Sequence, residues 1–278
     1  MNRRRLLILL SIVTVALIFP QPGETHKSTI DIRSYKAQGV VWNVRTNKKV
    51  IALTFDDGPN PLYTTQILDL LKQYHANATF FVTGMQVQRN PKLAKRQVQE
   101  GHELGNHTYN HPKMSRLTKV QIQQELSRTN QAILSATGQQ PPLLFRPPGG
   151  YIDQAMVNAA KEVGYSVVLW SFHQDTQDWK RPGVRKIVKK VVNHARAGDI
   201  VLFHDHGGNR SQTVKALKQI LPALQKKGYR FVTVSDLMME ENVKDIYDIH
   251  FMEGREPLTL SLARTQSVLF RRSRGMMG

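Results

Sequence analysis

Between Val50 and about Met238 the chain alternates short, dense apolar runs with longer amphipathic ones. The runs Val50–Phe55, Ala78–Val82, Leu143–Phe145, Ser166–Trp170, Ile200–Phe203 and Phe231–Val234 are rich in branched and aromatic residues and bounded by polar, Gly or Pro positions, as buried strands are. Between them the spacing predicts helices. Thr64–Tyr74 puts Ile67, Leu68 and Leu71 on one face, and Thr118–Ala136 carries Val120, Ile122, Leu126, Ile133 and Leu134 on a stripe. Ser211–Lys226 does the same with Val214, Leu217, Ile220, Leu221 and Leu224. Thr118 and Ser211 are the expected N-caps. Repeated strand–helix alternation predicts an α/β fold with a parallel sheet covered by helices, either open or closed as a barrel.

The flanks break this alternation. Arg3, Arg4 and Arg5 precede an uncharged run, Leu6–Phe19, that Pro20 ends, the form of a signal-peptide n- and h-region. The run is shorter than the about 17–25 residues that a spanning helix needs. No small-x-small cleavage site follows it, so residues 1–20 are expected to be a signal peptide or an N-terminal membrane anchor. Residues 21–49 read as a polar linker leading into the domain, residues 50–238 as the folded domain itself, and residues 239–278 as a C-terminal extension of unknown role.

Composition narrows the partners and the chemistry. The 278 residues carry a formal charge of +18, of which 1–49 hold +7, 50–238 hold +11 and 239–278 hold none. A basic surface of this size suits a polyanion: nucleic acid, anionic lipid headgroups or an anionic cell wall. Export, with no helix-turn-helix, zinc-finger or ribonucleoprotein motif in the chain, points away from nucleic acid and toward the wall. With no cysteine, any metal or catalytic centre is built from His, Asp, Glu, Ser, Lys and Arg.

The polar clusters follow directly on strands, at the edge where α/β sheets and barrels form their sites. Asp56-Asp57-Gly58-Pro59 follows the first strand, Arg146-Pro147-Pro148-Gly149-Gly150 the third, and His204-Asp205-His206 the fifth. Taken alone, Asp-Asp-Gly-Pro also reads as an ordinary turn. His107 and His111, four apart, would face the same way on a helical turn and could share one metal ion with a carboxylate and a water; solvated surface histidines are the plain alternative. His102, His173, His194 and His206 lack such a partner and are expected at the surface or in support of the site.

Thr54-Phe55-Asp56-Asp57-Gly58-Pro59, His107-x3-His111, Arg146-Pro147-Pro148, Asp178-Trp179 and Val201-Leu202-Phe203-His204 resemble, in order and spacing, the five motifs of the polysaccharide deacetylase (NodB-homology) domain of carbohydrate esterase family 4. The resemblance spans about Val50 to Met238. It implies a distorted (β/α) barrel of seven or eight strands and hydrolysis of N-acetyl groups on amino-sugar polymers. It implies Asp57, His107 and His111 as ligands of a divalent metal, zinc first, with cobalt or another divalent ion as alternatives. It further implies Asp56 as the general base, held by Arg146 through a two-pronged hydrogen bond, and His204 as the general acid, oriented by Asp178. Trp179 and Leu202 would wall the acetyl pocket.

One position departs from the family pattern. Where the family commonly has Tyr, this chain has Gly149, whose backbone N–H would still serve as oxyanion donor. The expected substrate is an N-acetylated glycan polymer, first the N-acetylglucosamine of peptidoglycan, with N-acetylmuramic acid, chitooligosaccharide or exopolysaccharide as alternatives. A wall-binding protein of the same fold with little turnover is the alternative from another class.

Overall fold

The computed structural model describes residues 32–241. The signal expected at residues 1–20 and all but the first residues of the extension expected at 239–278 lie outside the described residues. Seven strands, β1 (Val50–Asp56), β2 (Thr79–Val82), β3 (Glu103–Asn106), β4 (Leu144–Phe145), β5 (Ser166–Val167), β6 (Asp199–His204) and β7 (Arg230–Phe231), form one sheet. Its order is β5-β4-β3-β2-β1-β6, with β7 also paired to β1, and every ladder is parallel. The helices are α1 (Ile32–Ala37), α2 (Tyr63–Gln73), α3 (Gly84–Arg89), α4 (Pro91–Gln99), α5 (Lys119–Thr137), α6 (Gln154–Glu162), α7 (Val184–His194), α8 (Ser211–Lys226) and α9 (Val234–Met239). The sheet curls into the distorted (β/α) barrel. No helix among the described residues is long and apolar enough to cross a membrane.

Strand periodicity decides what lines the barrel. Ile51, Leu53 and Phe55 of β1 pack outward under the helices, where Phe55 lies 5.0 Å from Phe80 and 5.5 Å from Phe203, ring to ring. Val50 and Ala52 point the other way, into the cluster with Phe81, Leu144, Val168 and Ile200. The same alternation sends Thr54 and Asp56 inward at the C-terminal end. A polar floor at one end of an otherwise apolar barrel follows from the period of two.

Residues 40–44, expected in the linker, instead close the barrel between β5 and β6. Val41 donates to the Val167 carbonyl at 2.8 Å and accepts from Leu169 at 2.7 Å, while Val44 donates to Gly198 at 2.9 Å. Val40, Trp42 and Val44 are buried. Gly198 permits the approach: a Cβ there would stand 1.8 Å from the Val44 carbonyl oxygen. Sparse apolar residues spaced among polar ones hid this segment, because its partners lie more than a hundred residues away.

Other expectations are corrected in detail. The short run that forms β3 was not anticipated, since Glu103, Gly105 and Asn106 dilute its one large apolar residue, Leu104. Val120 is exposed rather than on the buried stripe of α5. Thr118 does cap α5, in a reciprocal capping box with Gln121. Ser211 does not cap α8; it is the first helical residue, and its N–H donates to Asn209 Oδ1 at 2.9 Å. Val234 opens α9 instead of ending a strand, because the Thr233 hydroxyl accepts from Asp236 N–H at 3.1 Å.

Candidate active site

Arg146, one residue beyond β4, is wholly buried inside the barrel mouth. Its Nη1 donates to Thr54 Oγ1 at 2.7 Å and to Asp56 Oδ1 at 2.8 Å; its Nη2 donates to the Leu169 carbonyl at 2.8 Å. The guanidinium lies 4.1 Å from the Phe81 ring centroid, a cation–π contact. The two-pronged grip expected on Asp56 is therefore a single hydrogen bond, because the remaining N–H groups serve Thr54 and the carbonyls that follow β5. Burial lowers the Arg146 pKa and the Asp56 charge partly restores it, yet a guanidinium stays protonated. It holds Asp56, also buried, as an oriented carboxylate.

Asp57, His107 and His111 bring their ligand atoms together within 4.8 Å. Asp57 Oδ1 stands 3.5 Å from His107 Nε2 and 3.4 Å from His111 Nε2. His107 Nδ1–H donates to the Arg146 carbonyl at 2.7 Å, which leaves Nε2 as the lone-pair nitrogen facing Asp57. Burial and the neighbouring His107 lower the His111 pKa, favouring the neutral imidazole that a metal requires. Burial pushes Asp57 up, but the hydrogen bond and charge of His107, with His204 and His111, outweigh it and hold the carboxylate well below its usual range. One carboxylate and two imidazoles with their ligand atoms this close fit a divalent cation of the zinc type.

These ligands are not on a helix, as their spacing suggested. They sit on loops after β1 and β3, with φ of 80° at Asp57, 67° at Thr108 and 55° at His111. Such left-handed conformations cost about 1–3 kcal/mol each and persist where side chains fix the loop. Glu125, on α5, does so: its Oε2 accepts the N–H groups of Tyr109 at 2.8 Å and Asn110 at 2.9 Å. Asn106 Oδ1 accepts from Thr108 N–H at 2.9 Å, and Thr108 Oγ1 from His111 N–H at 3.1 Å. Glu125 was missed, although it falls three residues after Ile122 and one before Leu126, so a charge on the apolar stripe was the available signal.

Across the cleft, His204 ends β6. Its Nδ1–H donates to Asp178 Oδ1 at 2.7 Å and its backbone N–H to Asp178 Oδ2 at 2.9 Å; Thr213 Oγ1 donates to the same Oδ2 at 2.7 Å. Burial would lower His204, but the bond and charge of Asp178, with Asp56 and Asp57, raise it to about 9. A cleft of about 360 Å³ joins Asp56, Asp57, His107, His111, His204 and Gly149. Leu202 is buried in its wall, whereas Trp179 is half exposed at the rim. Trp170, also lining the cleft, was not singled out because it ends an apolar run. Gly149 has φ 65°, and a Cβ there would meet nothing within 4 Å, so this side of the cleft is open.

The remaining histidines divide. His102 is buried edge-on to Phe80, at 5.6 Å between centroids, which corrects its surface placement; burial lowers its pKa to about 4. His173 Nε2 lies 2.9 Å from Asp199 Oδ2, away from the cleft. His194 is exposed at the end of α7. His206 Nδ1 lies 3.1 Å from Asn60 Nδ2, so it braces the loop after β1. Asp205 is fully buried against Gly58, accepts from the Thr64 hydroxyl, and is pushed up to about 7, chiefly by burial.

Fold and cleft together define a hydrolase built on an α/β barrel. The chain belongs to the polysaccharide deacetylase family, carbohydrate esterase family 4, as a hydrolase acting on amide bonds, and the polysaccharide deacetylase model matches residues 43–168. A peptidoglycan-N-acetylglucosamine deacetylase of Bacillus cereus is 55% identical over 72% of this chain and 92% of its own length. The peptidoglycan-N-acetylmuramic acid deacetylase PdaA of Bacillus subtilis is 37% identical over 72% of this chain and 75% of its own. The crystal structure of the Bc1960 peptidoglycan N-acetylglucosamine deacetylase, in complex with 4-naphthalen-1-yl-N-oxidanyl-benzamide, superposes with a TM-score of 0.70 at 34% identity, over 76% of this chain and 98% of that one. The family implies a divalent metal, and the Asp57, His107 and His111 cluster is suited to hold it.

Proposed function

We propose that this protein removes N-acetyl groups from the N-acetylglucosamine of peptidoglycan, outside the bacterial membrane. The observation that carries the reading is the convergence of Asp56, His204 and the Asp57–His107–His111 cluster on one cleft. The 55% identity to a peptidoglycan-N-acetylglucosamine deacetylase supports this sugar over muramic acid, chitooligosaccharide or exopolysaccharide. The basic n-region and apolar run of residues 1–20 support export, with that segment cleaved or kept as an anchor, and a +18 chain suits an anionic wall.

Each residue has a role in this chemistry. Asp57, His107 and His111 would hold the divalent ion, zinc by its donor set, and the bound ion would supply Lewis acidity to the acetyl carbonyl and to water. Asp56, oriented by Arg146, takes the proton of the attacking water as that water adds to the acyl carbon. The Gly149 N–H donates to the developing oxyanion. His204, kept protonated by Asp178, gives its proton to the leaving nitrogen as the carbon–nitrogen bond breaks, yielding acetate and a free amine. Leu202 and Trp179, with Trp170, cover the acetyl methyl group.

The test is acetate release by the full chain from peptidoglycan and from chitooligosaccharide, with chelator and then added zinc or cobalt. Release that stops with chelator, returns with metal and is faster on peptidoglycan supports the reading; faster release from chitooligosaccharide moves the substrate assignment. No release from either polymer in the metal-loaded protein would leave another acetylated glycan as substrate or a wall-binding protein.

A further inference from the structure

Between Trp179 and Lys227 the chain has twelve Lys or Arg and only two carboxylates. Both carboxylates are buried, Asp199 beside His173 and Gln174, and Asp205 beside Thr64. Arg210 is buried as well, bonded to the carbonyls of His206 and Gly207. The other eleven cations are exposed or half exposed, and none has a carboxylate within ion-pair distance among the described residues. Elsewhere on the domain matched and unmatched cations are mixed: Arg96 is paired with Asp69 and Glu100, Lys119 with Glu162 and Lys48 with Glu240, while Lys72, Lys92 and Lys95 have no ion-pair partner among the described residues.

Helical period gathers the unmatched cations on one face. The apolar side of α7, with Ile187 and Val191, packs into the core, which turns Arg185, Lys186, Lys189 and Lys190 outward. In α8 the buried Leu217, Ile220, Leu221 and Leu224 turn Lys215, Lys218 and Lys226 outward. The two helices lie side by side and run the same way. Gly183 N–H donates to Gln212 Oε1 at 2.8 Å at their N-terminal ends, and Lys227 Nζ donates to the Val192 carbonyl at their C-terminal ends. At about 1.5 Å per residue the paired face extends about 16–24 Å. It begins at the cleft, because Trp179 forms the rim and Lys180 Nζ lies 4.8 Å from its ring centroid.

Two parallel rows of unpaired cations fit a linear polyanion of high charge density. A bilayer fits less well: no exposed large apolar side chain lies on α7 or α8 among the described residues, and surface helices that hold membranes combine basic residues with inserted apolar ones. We propose that the outer face of α7 and α8 binds a phosphodiester polymer of the wall and so holds the cleft against the glycan beside it. This rests on the glycan deacetylase reading for the neighbouring substrate only; the cationic face itself is independent of catalysis.

The experiment compares the full chain with two triple variants, Lys186→Gln/Lys189→Gln/Lys218→Gln on the face and Lys72→Gln/Lys92→Gln/Lys95→Gln on α2 and α4. Binding is measured to soluble poly(glycerol phosphate) across a salt series, to sacculi before and after removal of their phosphodiester polymer, and to phosphatidylglycerol vesicles. The face variant should bind the polymer at least tenfold more weakly, with a salt slope smaller by about 2, taking about 0.7 per lost phosphate contact as for single strands. The α2/α4 variant should stay within twofold of the parent, and stripped sacculi should lose the protein. Equal losses in both triples, binding indifferent to stripping, or capture by vesicles and not by polymer would each overturn the proposal. Acetate release from chitooligosaccharide, which needs no anionic polymer, should be equal in all three proteins and reports their folding. If the parent releases none, the deacetylase reading fails while the binding comparison still decides the face.

Discussion

The backbone carbonyl of Arg146 stands 2.7 Å from Nδ1 of His107, while the same residue's guanidinium donates to Asp56 at 2.8 Å. One buried residue thus orients an imidazole of the metal cluster through its main chain and the proposed base through its side chain. Arg146→Lys should disconnect the two. An ammonium cannot reach Thr54, Asp56 and the carbonyls after β5 together, so kcat should fall at least 100-fold. Metal affinity should change less than tenfold, since the carbonyl remains. Steady-state kinetics beside zinc titration checks this; a parallel collapse of both would mean that the guanidinium holds the whole loop set.

Asp178 sets the proton of His204. The folded pKa of about 9 means that the imidazolium persists well above neutrality, and the proposed acid step should fail only as pH rises past that value. Asp178→Asn removes the largest influence raising it, so the alkaline limb of kcat should move down by more than one pH unit. The stability sign is the same: a raised histidine pKa stabilises the fold fully below about 6.5 and loses that contribution toward pH 9. The variant should therefore lose most stability near pH 6 and least near pH 10. An unmoved limb would remove His204 from the acid role.

Glu125 touches no substrate position, yet its carboxylate fixes the loop on which His111 sits. Glu125→Ala leaves two N–H groups without their acceptor and should weaken zinc binding about 10–100-fold, the usual effect of losing support behind a ligand. Glu125→Gln retains an acceptor and should recover most of it. Zinc competition with a chromophoric chelator reads this without any turnover; equal affinities in all three proteins would show the loop to be rigid without Glu125.

Asp205 carries a pH-dependent cost. With its pKa pushed up to about 7, the folded chain keeps a proton that the unfolded chain releases near pH 4, so stability falls as pH rises through that window. Asn at this position still accepts from Thr64 and has no charge to bury. In chelator-treated protein the Tm of Asp205→Asn relative to the parent should rise between pH 5 and pH 8. A difference that is flat with pH would mean that Asp205 does not titrate in this range.

Trp42 lies in the segment that closes the barrel, buried beside Val40, Val167 and Leu169. Trp42→Ala should cost about 3–5 kcal/mol of unfolding free energy, as for other buried large-to-small changes. Urea denaturation measures it. A loss under 1 kcal/mol would demote residues 40–44 to a dispensable strap.

The cleft end of the barrel was legible because its residues follow dense apolar runs: Asp56 and Asp57 in and after β1, His204 at the end of β6, Arg146 after β4. Supporting residues were harder to see. Glu125 was hidden in a helix, where charges are ordinary, and only its place on the apolar stripe distinguished it. The pairing of the two histidines was visible, but not their loop, since four-residue spacing cannot tell a helical turn from a loop fixed by Asn106, Thr108 and Glu125. Residues 40–44 escaped for a different reason. Local pattern reports which face a residue turns to the core, and says nothing of a partner such as Gly198 far along the chain.

That last pairing also orders events in time. Synthesis delivers residues 40–44 near the start of the domain, but their hydrogen-bond partners at Val167, Leu169 and Gly198 come only after about 125 to 155 further residues. The loop to be closed is among the longest in the domain, and its entropy must be met by contacts that do not yet exist while the chain emerges. Residues 40–44 thus wait for Gly198 before all of their hydrogen bonds can form.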